Sequence, residues 1–151
     1  MSEHVAKIIW YRNTESFLYE DYDRRHLWRF DNGAEIAASA ASAFLGNPEC
    51  IDPEEAYVAS LSSCHMLTFL AIASRKKLLV DSYADNASGF LEENAEKRLA
   101  ITRVILRPKI LFGGERQPTP EEEHRMHEMS HQQCFIANSV MTRIEIEPPL
   151  G

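Results

Sequence analysis

The stretch "DPEEAYVASLSSCHMLTFL", Asp52 to Leu70, opens like a helix and then shows no polar face. Asp52 is an N-cap acceptor, Pro53 suits the first helical position, and Glu54 and Glu55 lie over the positive helix end. Tyr57, Val58, Leu61, Met66, Leu67, Phe69, Leu70 and Ile72 then surround the axis. A helix of that kind is buried on most sides. The small residues Ala56, Ala59, Ser60, Ser62 and Ser63 let other backbone come close, and cations at Arg75, Lys76 and Lys77 mark the end. Cys64 is thereby expected in the middle of a central helix.

A second helix opens in the same way, at Thr119-Pro120-Glu121-Glu122, and is expected to run to about Asn138. Strands surround the pair. "HVAKIIWY" reads as the first. "RRHLWRF" and "AEIAAS" flank "DNG", where Asn-Gly accepts the positive φ of a type I′ hairpin turn. "LLVDSYADNASGFL" and "RLAITRVILRPKILF" read as two strands separated by "EENAEK", and "MTRIEIEP" as a closing strand. The expected order is βββ-α-ββ-α-β, an α+β fold rather than a doubly wound sheet.

The 151 residues suit one domain spanning the chain. The net charge of −7 and the lack of a basic run argue against nucleic acid as a partner. No leader pattern opens the chain, and the most apolar window, Ala56 to Ser74, carries enough serine, threonine and histidine to read as too polar for a membrane span. The cytoplasm is the expected location. Three cysteines, Cys50, Cys64 and Cys134, do not make a disulfide framework.

His124, His127, His131 and Cys134 recur at steps of three, four and three, one stripe of a helix. A straight helix spreads them over about 15 Å, so one metal ion could take at most two neighbours, and no Cys-x-x-Cys pair adds to them. Inert packing of thiols and histidines is a second reading. Thiol redox chemistry, with Cys64 and Cys134 brought together from two helices, is the third. It needs a thiolate, whereas an apolar site raises a thiol above its usual value near 8.5. A dehydrated arginine meets that need, held by a carboxylate. Arg24, Arg25, Arg29, Arg103 and Arg107 are candidates, and Glu54 is the best-placed carboxylate. Glu54 lies ten residues before Cys64, about 15 Å along a straight helix, so it reaches a cysteine only through another element or another subunit.

The motifs "DPEEAYVASLSSCH", Asp52 to His65, and "HQQCFIANSV", His131 to Val140, together resemble the OsmC/Ohr family, the osmotically inducible and organic hydroperoxide resistance proteins. The resemblance runs along nearly the whole chain. It implies an intertwined homodimer, two central helices against antiparallel sheets, and active sites at the subunit interface. It implies a cysteine-based peroxidase that reduces organic hydroperoxides to alcohols in oxidative stress defence, needs no cofactor or metal, and is recycled by an external dithiol of the lipoyl type or another. Cys64 looks like the peroxidatic cysteine and Cys134 like the resolving one. Glu54 looks like the carboxylate that orients the arginine, and aligning the hairpin puts Arg24 in the arginine's place, with Arg25 one step away on the other side of a strand. His65 and His131 are expected to line the pocket. Phe135 stands where the Ohr branch has proline, and that branch's Gly-Gly-Arg is missing, so the chain resembles a divergent OsmC-like branch. The alternative on the same fold is a small-molecule-binding protein, or a zinc-binding one, whose cysteines are only pocket walls.

Overall fold

The computed structural model describes residues 1–147. They group into two compact units, 1–56 and 57 onward. In the first, β1 (Ala6–Ile9), β2 (His26–Phe30) and β3 (Glu35–Ala38) form an antiparallel sheet in that order. Cross-strand partners include Ile8 with Trp28 and Trp28 with Ile36. The β2–β3 turn is not the expected type I′. Only Gly33 has a positive φ, +85°, and Asn32 does not. Phe30 N–H donates to Ala34 O, and Gly33 N–H donates to Phe30 O. The loop therefore has three residues and ends on a left-handed glycine, the other common hairpin closure.

Helix α1 (Pro53–Arg75) starts as its sequence predicts. Glu55 N–H donates to the Asp52 carboxylate at 2.8 Å, and Asp52 N–H donates to the Glu55 carboxylate at 3.1 Å. Two otherwise unpaired donors are satisfied reciprocally. At the far end Lys77 takes the left-handed conformation, φ +58°, with Lys77 N–H donating to Ser74 O and Leu78 N–H to Ala73 O. A lysine holds a place that usually favours glycine.

The second unit packs its strands on one face of α1. β4 (Leu79–Asp85) pairs with β7 (Pro108–Gly113), and β5 (Ser88–Glu93) pairs with β6 (Leu99–Leu106). β8 (Arg143–Ile146) joins β6 in parallel, the one departure from antiparallel pairing among the named strands. The α+β class stands, but four strands rather than two lie between the helices. Each long run breaks where the chain changes sheet, at Asn86–Ala87 and at Arg107. Pro108 has no N–H to give a ladder, and the Arg107 N–H goes to the Asp85 carboxylate at 2.6 Å. The other Asp85 oxygen accepts from Ser62 Oγ at 2.5 Å, tying this corner to α1.

Leu61, His65, Phe69, Ile72 and Ala73 are the buried residues of α1. Phe69, Ile72, Ala73, Leu78 and Met126 form one cluster, and Leu61, Val104 and Leu106 another. The rest of the helix is half-buried or open, and Leu67 is 61% exposed. The expectation of burial on most sides thus holds for one stripe, because the strands of the second unit cover one side only. By length and composition α1 also qualifies as a membrane-crossing helix, contrary to the reading from its serines, yet its Leu61–Phe69 stripe is core. Helix α2 (Pro120–Gln133) begins with Thr119 accepting from Glu122 N–H and ends at Gln133, five residues short of the expected Asn138.

Gly89 on β5 permits a close approach of α1: a Cβ there would lie 2.4 Å from Val58 Cγ2. Replacing Gly89 by alanine is expected to cost about 1–3 kcal/mol through overpacking. Chemical denaturation checks this, and unchanged stability would contradict the packing described.

Candidate active site

Cys64 lies half-buried on α1, and its carbonyl accepts from Thr68 Oγ1. Cys134 is 1% exposed and follows the last turn of α2, with extended backbone at φ −71°, ψ 115°. It is therefore beyond the helix rather than on its face. Cys134 Sγ accepts from Ala137 N–H at 3.3 Å. Both thiols are free, and they interact. Burial first, and a side-chain hydrogen bond with Cys64 second, push the Cys134 thiol up to about 11, against the lowering pull of the Ala137 N–H. The arrangement brings two free thiols near enough to act on each other, one on a helix and one just past a helix end, where oxidation of either exposes it to attack by the other.

Arg24 and Glu54 belong to the first unit. The Arg24 guanidinium donates to Tyr19 O at 2.7 Å and Tyr22 O at 3.0 Å. It lies 4.1 Å from the Tyr22 ring centroid and 4.8 Å from that of Tyr19. With Trp10, Phe17, Tyr22 and His26 it lines a cavity of about 410 Å³. Arg24 is half-buried and Arg25 exposed, and both precede β2 rather than lying on a strand as expected. Glu54 sits in the first turn of α1. Among the described residues no carboxylate lies within ion-pair distance of Arg24, so this chain does not bring Glu54 to it. Among the described residues, no three His, Cys, Asp or Glu side chains cluster as a metal site.

The histidine stripe is not uniform. His127 is buried, His131 half-buried, and the His124 side chain is 75% exposed. His127 meets a partner that the spacing did not reveal. Its Nδ1 lies 3.0 Å from His65 Nε2, so one ring donates and the other accepts. The planes differ by 8° and the centroids are 5.3 Å apart. Two ring radii added end to end to the nitrogen separation account for that distance. The rings are therefore coplanar and joined at their edges, not stacked face to face. Phe69 packs on the His127 ring, 4.5 Å between centroids, and His127 Nε2 looks toward Glu123 Oε1 at 3.9 Å. The available signal was His65 standing between Leu61 and Phe69 on the buried stripe, where an imidazole needs a polar partner.

Burial, and then the neighbouring imidazoles, hold both rings neutral down to about 4. His131 acts on His65, and His124 on His127, each lowering it, while Asp85 pulls His127 the other way. Burial raises the Glu123 carboxyl.

With this geometry the comparisons fall into place. The family model for OsmC-like proteins matches residues 46–148, and the chain belongs to that family. An OsmC-like protein of unknown function from Vibrio cholerae has a solved structure with 46% identity, covering 98% of this chain and 99% of its own, at a TM-score of 0.94. An organic hydroperoxide resistance protein from Legionella pneumophila shares the fold at 15% identity, 99% and 96% coverage and a TM-score of 0.71. One from Elizabethkingia anophelis does so at 18% identity, 99% and 95% coverage and 0.73. A search among curated proteins found no match.

An unfolded histidine takes its proton near 6.5, but the folded pair resists charging until about 4. Between those values the unfolded chain binds more protons, so stability falls as pH drops from 6.5 toward 4 and is fully present above 6.5. Urea midpoints across that range should show a shallower acid slope for His127→Gln than for the native chain. Parallel slopes would mean that the pair titrates normally.

Proposed function

We propose that the protein is a thiol-dependent peroxidase that reduces organic hydroperoxides to alcohols in the cytoplasm, as part of oxidative stress defence. The interaction between the Cys64 and Cys134 thiols carries this reading. The printed names of the Legionella and Elizabethkingia proteins lend it chemical direction. In the proposed cycle the Cys64 thiolate attacks the distal peroxide oxygen. The O–O bond breaks and the alkoxide takes a proton and leaves as alcohol. Cys64 is now a sulfenic acid. The Cys134 sulfur attacks it, the S–O bond breaks, and water leaves with the Cys134 proton. An external dithiol, of lipoyl type or another, reduces the Cys64–Cys134 disulfide.

Arg24 is proposed to stabilise the Cys64 thiolate and Glu54 to orient Arg24. Along α1 Glu54 cannot touch the Cys64 of its own helix, so the reading has it serve the Cys64 of a second subunit, in a homodimer. The exposed apolar residues of α1 support the dimer, Leu67 foremost. Arg24 is favoured over Arg25 because it lines an aromatic cavity suited to an apolar substrate tail, whereas Arg25 points to solvent.

The test is to reduce the protein anaerobically, add one equivalent of cumene hydroperoxide, and map the product by peptide mass. An intrachain Cys64–Cys134 disulfide is expected. Cys64→Ser should abolish turnover, and Cys134→Ser should stop at a trapped sulfenic acid on Cys64. Arg24→Ala should slow Cys64 oxidation about a hundredfold, as loss of one charge-stabilising donor does, and Arg25→Ala should not. Unreacted thiols in the native protein would sink the enzyme reading in favour of a binding protein. For the dimer, Leu67→Glu is expected to shift sedimentation toward the monomer, and a native protein that sediments as a monomer would refute the shared site.

A further inference from the structure

Two buried histidines remain that the proposed cycle does not use. Each sits beside a cysteine in a particular way. His65 directly follows Cys64 on α1, and His127 lies in α2 seven residues before Cys134, which follows directly on the helix's last residue, Gln133. Their hydrogen bond is the one side-chain hydrogen bond between α1 and α2 among the described residues. The rest of the contact near it is apolar, with Phe69 and Met126 in one cluster. Apolar packing is not directional, and volume alone admits sliding or rotation. A coplanar N–H···N bond between two buried rings admits neither. One turn of slip between the helices would displace the Cys134 end by about 5.4 Å and leave both rings unpaired.

We propose that His65 and His127 are a positioning pair, whose hydrogen bond across α1 and α2 fixes the register in which Cys64 meets Cys134. Among the described residues neither ring hydrogen-bonds a cysteine sulfur. Its consequence for the resolving step rests on the peroxidase reading above, but its effect on the two thiols does not. Phe69 against one face of His127, and Glu123 beyond its Nε2, keep that ring from swinging out of the bond. The groups facing the pair are Glu123, His124 and His131 from α2 and Asp85 from β4.

The experiment measures how strongly the two thiols favour each other. Purified full-length protein is equilibrated anaerobically in glutathione redox buffers, and the Cys64–Cys134 disulfide is quantified by peptide mass. Cys50 is mapped in the same digest. His127→Leu keeps the ring's volume against Phe69 and removes the bond. It should lower the disulfide's equilibrium constant against glutathione about tenfold, the factor that goes with losing one hydrogen bond that holds the two helices in register. His127→Gln keeps a donor and an acceptor and should restore most of it. If the single leucine variant does not fold, His65→Leu/His127→Leu, which leaves no polar group unpaired, supplies the reading and should show the same loss. A constant in the leucine variant equal to the native one overturns the proposal. So does equal weakening by leucine and glutamine, and so does a native chain that forms no such disulfide. A parallel arm follows Cys64 oxidation by cumene hydroperoxide. Failure of the native protein there, with its disulfide intact in glutathione, refutes the peroxidase and leaves the positioning pair standing.

Discussion

An imidazole in the middle of an apolar helix stripe has to find a partner, and the second unit is arranged around the one that His65 finds. Burying its ring without a hydrogen bond would cost a few kcal/mol, a large share of the stability of a small domain. α2 must therefore come against α1 at the height where His127 can reach His65 Nε2. The bond fixes which residues of α2 face inward, and Met126, His127 and Ser130 are its buried ones. It also fixes where the chain stands when α2 ends. Cys134 is then beside Cys64 rather than at some other point on the long helix.

The same constraint explains the polarity of what is otherwise an apolar core. Ser130 Oγ donates to Met126 O within α2, and Ser62 Oγ donates to the Asp85 carboxylate. Each buried polar group is given a partner close by. The exception is the Tyr83 hydroxyl, buried without a partner among the described atoms while its ring packs on Phe69. The ring's apolar area outweighs one unpaired hydroxyl there.

The helix starts were legible because capping chemistry is local. Asp52 and Thr119 do what their positions in the sequence say, within three residues of themselves. The strands were legible as runs but not as divisions. The break at Arg107 is accompanied by a carboxylate on β4 taking the N–H of a residue twenty-two positions later, which no short window of sequence contains. The end of α2 was misjudged for a related reason. Residues 134–138 carry no glycine or proline to mark a stop, yet Cys134 turns extended and the chain continues as a short turn at Ala137–Ser139. The motif placed Cys64 on α1 correctly, whereas Cys134 lies one residue past the end of α2 rather than on it. The pairing of His65 with His127 was not readable, because it joins residues sixty-two apart through tertiary packing.

Cys134's place beyond the helix has a mechanical consequence. A disulfide holds its sulfurs about 2.05 Å apart, closer than any contact between thiols. Joining Cys134 to Cys64 therefore requires one sulfur to travel. In α1, the Cys64 backbone is locked by the helical ladder on both sides. Cys134 has no such ladder ahead of it, only the turn bonds from Ala137 N–H to its sulfur and from Asn138 N–H to its carbonyl. The displacement falls on the joint between α2 and β8, the strand that pairs in parallel with β6. Oxidation of the pair would thus be felt first as a tug on the last strand, leaving the long helix still, and backbone amide exchange in residues 136–146 is where a change of redox state would become visible from outside.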